Sequence, residues 1–168
     1  MTKKRDLLLF FTVFLIGWVS HSVSGHFTSI DLQTPLSLVI FDHKAKEKAS
    51  PHDRIKEDQI HVYSDRVVID IDDPQWAGFV DTNSMDPIID DEANAIEIVP
   101  KSAAEVHTGD IVSYRSDLVD GTIIHRVIET GNDGDGWYAI MKGDNNPAND
   151  PGKVRFSQIE RVVVAVIY

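Results

Sequence analysis

Thr122-Ile123-Ile124-His125-Arg126-Val127-Ile128, then Gly131-Asn132-Asp133-Gly134-Asp135-Gly136, then Trp137-Tyr138-Ala139-Ile140-Met141: the span from 122 to 141 decides the fold. It is a β-branched run, a cluster of turn residues and a second apolar run, which is the pattern of a β-hairpin. The same pattern extends outward in both directions. Toward the N-terminus lie Ile111 to Tyr114, the alternating Ile96-Glu97-Ile98-Val99, and Trp76 to Val80 after Asp73-Pro74. Beyond them Ile60-His61-Val62-Tyr63 and Val67-Val68-Ile69-Asp70-Ile71 flank Ser64-Asp65 as another hairpin, and Val162 to Tyr168 closes the sequence. Asp120-Gly121 supplies a further turn, no long window repeats at the helical period, and no internal repeat occurs. Residues 59–168 are therefore expected to form a mainly β domain.

Upstream the composition changes. Lys3-Lys4-Arg5 precedes Leu7-Leu8-Leu9-Phe10-Phe11-Thr12-Val13-Phe14-Leu15-Ile16-Gly17-Trp18-Val19, and no Asp, Glu, Lys or Arg occurs from Leu7 to Ile30. As a helix that span would reach ~36 Å, enough to cross a bilayer. Two alternatives stand: a cleaved secretion signal, with Ser22 and Ser24 near the cleavage point, or an uncleaved anchor with Trp18 at the interface. In both, the basic cluster stays in the cytoplasm and the remainder faces outward. From Asp42 to Asp58 ten residues are charged and almost none is large and apolar, which predicts a stalk or flexible tether. The expected organisation is a basic N-terminus over 1–6, an anchor over 7–24, a membrane-proximal segment and charged stalk over 25–58, and the β domain over 59–168.

Of the 168 residues 42% are hydrophobic and 26% charged, a globular balance, and none is cysteine. Disulfides, thiolate metal sites and cysteine nucleophiles are thereby excluded. The net charge of −11 is unevenly placed: residues 1–58 carry eight Lys or Arg against seven Asp or Glu, and residues 59–168 carry eight against twenty. A domain this acidic repels phosphate backbones, so no nucleic-acid partner is expected.

Three places could carry chemistry: the polar cluster Asp81-Thr82-Asn83-Ser84-Met85-Asp86-Pro87, His125 within its strand-like run, and the loop from Lys142 to Gly152, dense in carboxylates and amides. A serine hydroxyl needs a base to take its proton, and an imidazole base needs a carboxylate to fix its tautomer. Any chain of this size holds all three residue types, so the types alone decide nothing. Their arrangement resembles the type I signal peptidases, in the archaeal and endoplasmic-reticulum branch. Ser84-Met85-Asp86-Pro87 is similar to that family's Ser-Met-x-Pro nucleophile motif, and Gly109-Asp110-Ile111-Val112 to its Gly-Asp-Ile-Val strand. Ile124-His125-Arg126-Val127 is similar to its His-Arg-Val motif, where bacterial members place lysine. Lys142-Gly143-Asp144-Asn145-Asn146 with Asp150 matches the Lys-Gly-Asp-Asn-Asn…Asp box. All four follow in family order over residues 81–150, and the specificity lies in the set, since each motif alone is common.

The resemblance implies a membrane-anchored serine endopeptidase that removes signal peptides from secretory precursors after small residues. It implies coiled antiparallel sheets of the signal peptidase and LexA-like type, tethered by one N-terminal transmembrane helix, with the catalytic domain outside the cell membrane. Ser84 would be the nucleophile and His125 the general base, with Asp150 or Asp144 as the orienting carboxylate. The Ser84 amide and the Thr82 hydroxyl would hold the oxyanion, and no metal or other cofactor would be needed. With a reference pKa of ~6.5, histidine works as a base near neutral pH without deep desolvation. The run ending at Val80 would offer an edge for an extended substrate, and Met85 and Ile88 would line shallow pockets, with core packing the alternative for each. Two local departures concern Asn83, where many relatives have glycine, and Ile88-Ile89-Asp90-Asp91 after the proline. Asparagine tolerates left-handed backbone angles, so the turn is expected to survive. The sequence ends at Tyr168 without a second membrane segment, which leaves anchoring to the N-terminus.

Elsewhere His107 reads as a solvated turn residue, and Asn132 to Gly136 as a hairpin turn, because it lacks the donor spacing and closing Glu of a calcium loop. The rivals to the peptidase are a membrane-anchored, non-enzymatic β domain that binds a cation or partner through acidic loops, and a peptidase with one dedicated substrate. A self-cleaving repressor would call for a lysine base and a helical DNA-binding domain, neither of which is present.

Overall fold

The computed structural model describes residues 47–168. These residues form one compact unit. The expected cytoplasmic N-terminus, anchor and membrane-proximal segment up to residue 46 lie outside the described residues. Among the described residues no helix is long and apolar enough to cross a membrane.

The unit is mainly β. Strands β1 (Ile60–Val62) and β2 (Val67–Ile69) pair as a small two-stranded sheet. The other seven are β3 (Gln75–Gly78), β4 (Asn94–Ile98), β5 (Ile111–Arg115), β6 (Thr122–Asp133), β7 (Gly136–Lys142), β8 (Val154–Arg155) and β9 (Ile159–Ile167). They form one antiparallel sheet in the order β3-β4-β9-β5-β6-β7-β8. The only helical pieces among the described residues are three short 3₁₀ turns, at Glu57–Gln59, Ala103–Glu105 and Phe156–Gln158. The strands follow the apolar runs of the sequence, but β9 begins at Ile159 rather than Val162, β3 ends at Gly78 short of Val80, β2 stops at Ile69, and β8 falls in none of those runs. The β6–β7 hairpin continues to Asp133 opposite Gly136, beyond the run that ends at Ile128, because Gly134 and Asp135 alone make the turn. Asp133 there accepts from Lys153 at 2.6 Å and Arg155 at 2.8 Å, a structural use of the carboxylate.

Both faces of the sheet are covered. Val112, Tyr114, Val127, Met141 and Val162 pack on one face, and Met85, Ile89, Ala95, Ile111 and Val163 on the other. Central β5 is accordingly buried at four consecutive positions, Ile111 to Tyr114, as a strand buried on both sides must be. Register shifts at Ile96/Glu97, Ser113/Tyr114 and Val127/Glu129 bend three of the pairings.

The stalk expected up to residue 58 is corrected over its described part. Arg54 donates to both carboxylate oxygens of Asp110, at 3.1 and 2.8 Å, and to the Glu105 carbonyl. The His52 amide adds a bond to Asp110 at 2.8 Å, and the His52 ring stacks on His107 at 4.2 Å. Asp110 is fully buried, and a buried carboxylate requires such partners. Burial acts to raise its pKa, but the Arg54 guanidinium and the amides of His52 and His107 outweigh that and hold it below its ordinary value. Gly109 makes the contact possible: its φ is +101°, and a Cβ there would stand 2.2 Å from the Ser50 carbonyl oxygen.

Candidate active site

The segment between β3 and β4 carries Thr82, Asn83 and Ser84 in a tight turn. Asn83 adopts φ +54°, the left-handed conformation that asparagine tolerates. The turn is held from outside by the loop after β7. The Asn145 amide donates to the Ser84 carbonyl at 2.9 Å, and the Asn145 side chain donates to the Asn83 carbonyl at 3.0 Å. Gly143 lies so close beneath that a Cβ would sit 2.6 Å from the Ser84 carbonyl oxygen. The Ser84 and Thr82 hydroxyls are 3.2 Å apart and share a hydrogen bond.

His125 stands on β6 and is buried. Its Nδ1 lies 2.6 Å from Oδ2 of Asp150, and the Tyr114 hydroxyl donates to the same oxygen at 2.7 Å. An ionised carboxylate only accepts, so Nδ1 carries the proton and Nε2 is left with its lone pair. Burial, and then the bond to Asp150, push the Tyr114 hydroxyl far above its ordinary pKa, so it stays a donor. Asp150 is itself placed by its amide bond to the Met141 carbonyl at 2.8 Å.

Asp144 is engaged elsewhere. Arg126 clamps it through Nε at 2.7 Å and a terminal nitrogen at 2.6 Å, and reaches the Gly109 carbonyl at 2.7 Å. Of the two carboxylates left open by the sequence, Asp150 touches the histidine and Asp144 ties β6 to the loop.

Ser84, Thr82, Val80 and His125 line one cavity of about 580 Å³, together with residues 77–79 and 122–124 and with Glu97, Ser113 and Arg161. Ser84 and His125 face this common space without a direct hydrogen bond; such bonds are often long until substrate is seated. Met85, expected to line a substrate pocket, is instead 3% exposed and packs with Ile89, Ala95 and Val163. Its side chain lies inward, in the core. Ile88 lies outside the cavity, with its carbonyl accepting from the Tyr168 hydroxyl. Sequence reasoning missed Tyr114 and the polar lining residues Glu97, Ser113 and Arg161, and gave no role to Arg126 and Asn145, which it placed within motifs. Tyr114 sits three residues after Ile111 in an ordinary strand, and only the register that sets it beside Ile123 shows its reach toward Asp150. No group of three or more His, Cys, Asp or Glu side chains able to hold a metal ion occurs among the described residues.

No family model matches the chain. A stretch of 44 residues, 26% of the chain, is 46% identical to an uncharacterized protein of Methanocaldococcus jannaschii, and the match covers 22% of that protein's length. No solved structure matches.

Proposed function

We propose that this chain is a serine endopeptidase of the signal peptidase type, with the catalytic domain folded as that family's coiled antiparallel sheets and anchored by residues 7–24 in the cell membrane. The observation that carries the proposal is the 2.6 Å contact between His125 and Asp150, with Ser84 facing the same cavity. In this mechanism His125 Nε2 removes the Ser84 proton as Oγ attacks the scissile carbonyl. The imidazolium that forms is stabilised by Asp150 and then protonates the leaving amine. Water repeats the cycle on the acyl-enzyme, with His125 again as base. The Ser84 amide and the Thr82 hydroxyl receive the oxyanion. Asp144 acts through Arg126, as a positioning group for β6. The substrates are secretory precursors cut after small residues, and the shared bilayer concentrates enzyme and substrate on one surface.

The test is cleavage of a secretory precursor in detergent or liposomes by the intact chain, Ser84→Ala and His125→Ala. Cutting before the mature start by the intact chain, with both variants folded and nearly inactive, is the expected result. Equal behaviour of all three would sink the proposal.

A further inference from the structure

The cavity lining includes a group of polar side chains. Glu97 on β4, Ser113 on β5 and Arg161 on β9 belong to it. Glu97 and Ser113 are 3% and 4% exposed. Arg161 is paired with Ser113 in the sheet register, which sets the two on one face. The Ser113 hydroxyl and the Arg161 Nε are buried and have no hydrogen-bond partner. Nor does Arg161 form an ion pair with Glu97 or any other carboxylate among the described residues, although five other arginines do so or clamp one. Burial raises the pKa of Glu97; Arg161 and the nearby Ser113 hydroxyl counter this in part, but the Ser113 geometry falls short of a hydrogen bond.

Buried donors and acceptors are normally satisfied, and those left open beside a reacting group are available to a ligand. This part of the lining offers donors on Arg161, an acceptor on Glu97 and a hydroxyl that does either. A cationic side chain placed there would meet Arg161, and an anionic one would meet Glu97. A neutral group with both a donor and an acceptor meets no such opposition.

We propose that Glu97, Ser113 and Arg161 form a subsite selecting a peptide side chain that is uncharged and hydrogen-bonding, a hydroxyl or a carboxamide. This rests on the peptidase proposal for the choice of a peptide as ligand. An extended peptide lying along residues 77–80 presents alternate side chains to one face, so the subsite reads a single position beside the scissile bond. Small apolar side chains alone would leave the buried Ser113 hydroxyl and Arg161 Nε unpaired, which lowers affinity.

The test uses the full-length chain in detergent and precursor peptides carrying Ala, Ser, Asn, Glu or Lys at successive positions before the cleavage point. At one position Ser or Asn is expected to exceed Ala in kcat/KM by roughly tenfold, with Glu and Lys poorer than Ala. Ser113→Ala and Glu97→Gln, checked for folding by thermal melting, should bring that ratio toward one. The same peptides are titrated against Ser84→Ala, with and without Ser113→Ala, so that binding is read apart from cleavage. Cleavage with no such preference, with a charged side chain preferred, or with a preference unmoved by Ser113→Ala, overturns the subsite and leaves the peptidase standing. Absence of cleavage, with selective binding that Ser113→Ala abolishes, keeps the subsite and removes the peptidase. Neither cleavage nor binding removes both.

Discussion

Asp150 and Asp144 are six positions apart in one loop, yet their partners assign them different work. Asp150 touches the imidazole, so Asp150→Asn is expected to lower kcat by about 10³–10⁴ with little change in KM, through the wrong histidine tautomer. Tyr114→Phe removes only one donor to the same oxygen and should cost roughly three- to tenfold. Asp144→Asn breaks a partly buried ion pair with Arg126 and should lower stability by about 1–3 kcal/mol, read as a lower Tm with kcat of the folded variant changed far less than in Asp150→Asn. Steady-state kinetics beside thermal melts separate the three. Glu97 gives a prediction of opposite sign. Its pKa is raised in the fold, so its contribution is favourable below its usual value of 4.5 and is lost as pH rises through the raised value. Glu97→Gln should therefore be more stable than the natural chain at neutral pH, with the difference closing below pH 4.5. A constant difference across the range would show that desolvation of this carboxylate is not its cause.

The turn that carries Ser84 is set by its neighbours more than by its own residues. Gly143→Ala would drive a methyl against the Ser84 carbonyl, and the expected result is a loss of activity of at least tenfold with a modest change in Tm. Asn83→Gly should be tolerated because both residues accept a positive φ, whereas Asn83→Val should cost about 1–2 kcal/mol. Thermal melts and precursor cleavage on the three variants check this. The strands were largely legible in the sequence, because β-branched runs between Gly and Asp turns are a local signal. Asn83 was legible too, since only a few residue types suit a left-handed turn. The partners of Asp150 and Asp144 were not, because contacts such as Tyr114 to Asp150 depend on register across strands. The inward path of Met85 was equally hidden, since a methionine beside a serine reads alike as pocket or core.

Across the molecule, the largest difference lies in residues 47–58, whose charges read as a tether but whose Arg54 neutralises a buried carboxylate 56 positions away. Hydropathy cannot see a charge that is buried by being paired. A chain beginning at Glu47 should keep this pair, while one beginning at Gln59 should lose about 3–5 kcal/mol of stability by leaving Asp110 unpaired, as chemical denaturation would show. Arg54→Met should also alter acid unfolding. The Asp110 pKa is depressed in the fold, so its stabilisation is present above its usual value of 3.8 and fades as pH falls through the depressed value. The variant should show less of that acid-sensitive component.

β3 is one of the two outer strands of the seven, with Trp76 and Val80 exposed nearby at 70% and 77%. A bare strand edge attracts any extended backbone, including the same edge of another copy. Molecules crowded together would then plug one another's clefts and seed insoluble fibres. Twenty acidic against eight basic side chains over residues 59–168 make such copies repel, so the surface charge acts as a guard on that edge.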